Sequence, residues 1–119
     1  MKRPYEVSIG PGWRPMVEPL VRLCESHGGT IHQIKEKFGT LRFYYEPPSS
    51  HNDPDFWHTF EYAVRAVESR SARICEESGA PGRLYTMDIN GKPRWARTLS
   101  PEVAAKLGYA LRKVEHEEP

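Results

Sequence analysis

The chain predicts an α+β fold, a small antiparallel sheet packed by helices with a further β-hairpin beside it. Three observations carry that expectation. Residues Leu41-Arg42-Phe43-Tyr44-Tyr45 alternate with a period of two, which places Leu41, Phe43 and Tyr45 on one face and Arg42 and Tyr44 on the other. Phe56, Phe60, Ala63, Val64, Val67, Ser71 and Ile74 form one stripe at helical spacing. Asn90-Gly91 separates two strand-like runs and suits a type I′ turn, where both central residues need positive φ. At 119 residues the chain suits one domain spanning 1–119. Only 38% of it is hydrophobic, so its core must be lean, and the thirteen aromatic residues supply much of the volume.

The elements follow in order. Pro4, Gly10, Pro11 and Gly12 make the first dozen residues an extended lead-in. A helix is predicted over 15–27, with Met16, Val17, Leu20, Val21, Leu23 and Cys24 at helical spacing. Pro19 lacks an N–H and predicts a late start or a kink there. Gly28-Gly29 ends the helix. Two antiparallel strands, 31–38 and 41–45, join near Phe38-Gly39-Thr40, the first alternating less cleanly than the second. Residues 47–52 read as a loop. Asp53 then caps the long helix, with Pro54 at its first position and an end before Gly79. Arg65, Glu68 and Arg70 lie off its apolar stripe, on the solvated side. Gly79 to Gly82 is a turn. Strands 83–89 and 92–98 form the hairpin, and Pro93 confines its strand to an edge or a local irregularity. Ser100-Pro101-Glu102 starts a last helix whose apolar face is Val103, Leu107, Ala110, Leu111 and Val114, and 115–119 is a polar tail.

Charge and motif content exclude several functions. Seventeen basic against sixteen acidic residues leave a net charge of +1, which argues against an acidic DNA mimic and against a packaging protein. No apolar run approaches a membrane span and nothing at the start resembles a signal peptide. Cys24 and Cys75 read as reduced structural thiols, so a cytoplasmic protein without membrane contact is expected. None of His27, His32, His51, His58 and His116 has metal-ligand spacing. Nucleophile elbow, phosphate loop and dinucleotide fingerprint are missing. The acid pairs Glu76-Glu77 and Glu117-Glu118 read as solvated. No catalytic residue and no cofactor is assigned.

The run Ile34-Lys35-Glu36-Lys37-Phe38-Gly39-Thr40-Leu41-Arg42-Phe43-Tyr44 resembles the "IKEKFGGLRFY" segment of a family of small uncharacterised phage and bacterial proteins. Gly10-Pro11-Gly12-Trp13, the run Cys75 to Arg83, and Trp95 to Ser100 resemble its flanking segments, so the likeness covers roughly 10–104. The resemblance implies a C-terminal zinc-ribbon-like segment whose ligand positions are Cys75, Ser78, Ser100 and Val103 here. Two hydroxyls and a valine make that set unfit for tetrahedral zinc. A degenerate, metal-free ribbon is therefore expected, with Ser100 serving as a helix cap and Val103 as packing.

Two surfaces compete for function. The hairpin carries Arg83, Lys92, Arg94 and Arg97 against Asp88 alone, with Trp95 among them. It suits an acidic protein patch or phosphate, unless Trp95 is tucked inward. Pairing about Asn90-Gly91 sets Arg94 opposite Met87 and Arg97 opposite Leu84, with Lys92 and Arg94 on one face. The second surface is Lys35, Lys37, Arg42 and Tyr44 on the aromatic strand pair, where stacking of nucleic acid competes with simple packing of helices. The leading expectation is a non-enzymatic interaction protein. The resemblance adds a phage or mobile-element setting, a bacterial protein partner in the host cytoplasm, and inhibition of a defence system or a toxin. The alternative is a nucleic-acid-binding module.

Overall fold

The computed structural model describes residues 4–50, 53–90 and 92–111, with the side chains of Ile89, Pro93 and Arg94 outside the description. Among the described residues, two three-stranded sheets and three α-helices make an α+β fold. The lead-in contributes β1 (Glu6–Ser8) and a single 3-10 turn at Pro11–Trp13 before α1 (Arg14–Ser26). Then come β2 (Thr30–Lys37), β3 (Thr40–Glu46) and α2 (Pro54–Ser71). The second half holds β4 (Arg83–Ile89), β5 (Lys92–Leu99), α3 (Pro101–Leu107) and β6 (Ala110–Leu111).

The first sheet has the order β1-β2-β3. β1 pairs parallel with β2, Glu6 against Gln33 and Ser8 against Lys35. The expected extended lead-in is thus partly a strand. It has no periodic signal of its own because its three residues take their pairing from a strand beyond α1. Helix α1 begins at Arg14 and keeps Pro19 inside it, in place of the expected late start. That proline removes one N–H from the ladder, while Val17, Leu20, Val21 and Cys24 bury the face that holds the helix in place. Gly28, at φ +80°, lets its N–H reach Glu25 O at 3.1 Å and that of Gly29 reach Cys24 O at 2.8 Å.

The β2–β3 hairpin closes through Phe38 (φ +53°) and Gly39 (φ +84°), both left-handed, with Lys37 opposite Thr40. A register shift between Ile31 and Gln33 explains why the first strand alternates poorly. Leu41 and Phe43 are buried as expected, and Tyr44 is exposed. Asp53 accepts from Phe56 N at 3.1 Å and so caps α2. Phe60 meets Tyr45 edge-on at 4.9 Å and Phe43 at 6.3 Å between centroids. Trp57, absent from the expected stripe, is buried with Phe60 and Val64. Two readings of this helix change. Ile74 lies past its end and bridges to Pro81. Glu68 is not simply solvated: its carboxylate accepts from Phe43 N at 2.9 Å, and Ser71 Oγ accepts from Leu41 N at 2.8 Å. These two side chains close the free edge of β3.

The second sheet has the order β5-β4-β6 and is antiparallel throughout. Asn90 takes the expected positive φ of 55°, and Gly91 lies outside the described residues. The expected register fails. Trp95, not Arg94, is opposite Met87, and Tyr85, not Leu84, is opposite Arg97. A shift between Met87 and Asp88 inserts one extra residue, Arg94, between the partners Pro93 and Trp95. Pro93 therefore sits both on an edge strand and at an irregularity, as proline requires. Ser100 Oγ accepts from Val103 N at 3.3 Å and caps α3. That helix is shorter than expected: Gly108 at φ +79° ends it after Leu107, and Ala110–Leu111 pair with Thr86 and Tyr85. Val114 and the tail 115–119 lie outside the described residues.

Candidate functional site

The two halves of the chain meet along a polar seam. Gly12 donates to Glu76 O at 2.6 Å, Gly10 N to Glu76 Oε2 at 2.9 Å, and Trp13 Nε1 to Ile74 O at 2.8 Å. A Cβ on Gly12 would stand 2.2 Å from Cys75 O, so the two backbones approach as only glycine permits. On the other side, Thr98 Oγ1 donates to Gly39 O at 2.5 Å, and a Cβ on Gly39 would stand 2.5 Å from Leu84 Cδ1. The Phe38-Gly39 turn is thereby set against β5.

A groove of about 240 Å³ runs along this contact, lined by Glu36, Phe38, Trp95, Ala96, Arg97 and Tyr109. Its charged side chains are committed within the chain. Glu36 accepts from Gly39 N at 2.7 Å. Arg97 donates to Glu76 Oε1 at 3.3 Å and to Glu77 Oε1 at 2.5 Å. Glu76 is buried, against the expectation of a solvated acid pair; Glu77 is half exposed. Burial pushes the Glu76 carboxyl above its ordinary range and outweighs the pull of the Gly10 amide and Arg97. Arg97 is raised as well: burial opposes its charge, but two carboxylates more than compensate and hold it protonated. Arg97, expected among the partner-binding residues, is 23% exposed and fixes β5 to the 76–77 loop.

The apolar part of the groove is open. Phe38 is 74% exposed and Trp95 56% exposed. Trp95, predicted as a contact residue, is therefore not tucked inward. Phe38 was not singled out by sequence, because its left-handed φ at the first turn position withdraws it from the strand's alternation; a phenylalanine directly before a turn glycine is the signal available. Lys37 Nζ stands 5.8 Å from the centroid of the Phe38 ring. Lys92 and Arg83 are exposed at the starts of β5 and β4, away from one another in register. The Arg94 side chain lies outside the description, so its shared face with Lys92 has no structural counterpart here.

The alternative surface is also visible. Lys35 pairs with Arg42 across the outer face of the first sheet, and Lys35 Nζ lies 5.8 Å from the Tyr44 ring centroid. Glu6 hydrogen-bonds Gln33 on the same face and reduces its positive charge. Among the described residues of β2 and β3, Tyr44 is the one aromatic ring on that face, with Phe43 and Tyr45 turned to the helix side.

Cys75 has a distinct environment. Its thiol is fully buried, which alone would raise its pKa, yet the Ser78 hydroxyl and the amides of Ser78, Ser100 and Glu77 bring it below the ordinary thiol value. Ser78 N is 3.3 Å from the sulfur. Cys75, Ser78 and Ser100 thus converge, but Ser100 Oγ is occupied as the α3 cap and Val103 offers no ligand atom. Cys24, by contrast, is pushed up to about 11 by burial and by Glu25. No helix among the described residues is long and apolar enough to cross a membrane. Comparison with family models, with curated proteins and with solved structures returns no match.

Proposed function

We propose that this chain is a non-enzymatic interaction protein that binds another protein through the groove between the Phe38 turn and β5. The exposure of Phe38 and Trp95 on one groove carries this reading. Large rings held in water beside a cleft are the anchors from which protein interfaces draw most of their energy. The charged side chains that line it, Glu36 and Arg97, are already paired, so little charge desolvation opposes docking of a partner surface. The phage-type resemblance suggests a bacterial protein as partner, with inhibition of a defence system or toxin as one form of the activity. The convergence of Cys75, Ser78 and Ser100 supports reading the second sheet as a ribbon that has exchanged metal for caps and packing.

The nucleic-acid reading is weaker. Its face offers one stacking ring, and stacking platforms use successive rings.

Capture from a bacterial lysate, followed by reconstitution with the purified candidate, tests the proposal. The Phe38→Ala/Trp95→Ala double variant should remain folded and lose the partner. Undiminished binding by that folded variant would remove the groove from function. Steeply salt-dependent binding to DNA or RNA that Lys35→Glu/Tyr44→Ala abolishes would establish the alternative.

A further inference from the structure

The groove is bordered by the edge of a strand as well as by rings. β5 is a terminal strand of its sheet. Thr98 O accepts from Glu76 N at 2.9 Å, so Thr98 directs its backbone groups away from β4. Two residues earlier, and beyond the reach of the Met87/Asp88 irregularity, Ala96 directs its N–H and C=O the same way. Neither has a partner among the described residues, and Ala96 lines the groove between Trp95 and Arg97. Other stretches of the β3 and β5 edges are closed. Glu68 and Ser71 side chains occupy the amides of β3, Glu76 occupies Thr98, and Pro93 removes a donor from the start of β5. Against that pattern, the Ala96 edge is an opening with an aromatic ring on either side.

We propose that the groove receives a short extended segment of the partner protein, which adds to β5 at Ala96 and seats an apolar side chain against Phe38 and Trp95. This rests on the groove reading above. An extended segment is the occupant because the unpaired N–H and C=O of one residue demand a donor and an acceptor spaced as a strand supplies them. The paired stretch is short, since the bulge at Arg94 bends the strand on one side and the Phe38-Gly39 turn blocks it on the other. Lys37 beside the Phe38 ring and Lys92 at the far end of β5 are exposed and form no ion pair among the described residues. They favour acidic residues flanking the apolar one.

Short random peptides displayed as a library and selected on the full-length protein provide the probe. Recovered peptides are then remade with single N-methyl groups, which remove one backbone donor at a time without altering the protein. Peptides that lose affinity by about tenfold or more at one backbone position, require Trp95, and slow exchange of the Ala96 amide support strand addition. Peptides that require Trp95 but tolerate every N-methyl group overturn strand addition and leave the groove reading standing. If no Trp95-dependent peptide is recovered, both are overturned. Folded Ala96→Pro, which removes an outward-facing donor on an edge strand, should reproduce the N-methyl loss.

Discussion

The first sheet with α1 and α2 and the second sheet with α3 are stabilised in different ways. Among the described residues, thirteen buried apolar side chains form one cluster in the first region, including Trp13, Trp57, Phe43 and Phe60, and four form the cluster of the second, Cys75, Tyr85, Leu99 and Ala104. Burial of large rings drives folding of the first region. Directional contacts must do more in the second: the Ser100 cap, the amides around Cys75, the Glu76–Arg97–Glu77 group, and two glycine contacts with the first region. The comparison teaches that the second sheet depends on the seam for its position, and the groove is formed at that seam.

The largest effect is expected in the first region. Phe60→Ala, at a side chain 2% exposed, should cost about 3–5 kcal/mol in denaturant unfolding. A loss below about 1 kcal/mol would mean that the aromatic cluster is not the main store of stability. Next is the seam. Gly39→Ala puts a Cβ at a left-handed φ and makes the Leu84 Cδ1 methyl, 2.5 Å from it, swing aside, and should cost about 1–3 kcal/mol. Its amide chemical-shift changes should concentrate in β5 and the Phe38 turn.

Comparable effects come from the polar group itself. Arg97→Ala leaves the buried Glu76 carboxylate with Gly10 N as its remaining side-chain partner, and should cost about 1–3 kcal/mol by thermal or denaturant unfolding. A neutral result would show that the pair positions β5 without stabilising it. The pH dependence sharpens the same point. The folded-state pKa of Glu76 lies above its ordinary value of 4.5. The folded protein therefore holds that proton more tightly than the unfolded chain does. The resulting contribution is complete below 4.5, and is lost as pH rises through the folded value. Glu76→Gln is neutral at every pH. The difference in unfolding free energy should therefore move in favour of the parent protein as pH falls from neutrality, and the opposite slope would place Glu76 in a charge-stabilising site.

Local signals made much of the fold legible in the sequence. Asp53-Pro54, Gly28-Gly29, Asn90 and Ser100-Pro101 each settle backbone geometry within a few residues, and each acts as its chemistry directs. The features that escaped depend on distant partners. β1 takes its pairing from β2, Glu68 from the edge of β3, and Glu76 from Gly10 and Arg97. The bulge that shifts the second hairpin is announced by Pro93 in kind but not in position. Of the candidate site, Trp95 was legible as an aromatic among cations. Phe38 and the Ala96 edge became visible only when the turn was set against β5.

Native-state hydrogen exchange at low denaturant tests the unequal stability of the two regions most directly. The amides of β4 and β5 should exchange through an opening of lower free energy than those of β2 and β3, with Thr98→Val, which removes the hydrogen bond from β5 to Gly39 O, lowering the first further and leaving the second nearly unchanged. A single common opening free energy for all four strands, shifted equally by Thr98→Val, would contradict the division.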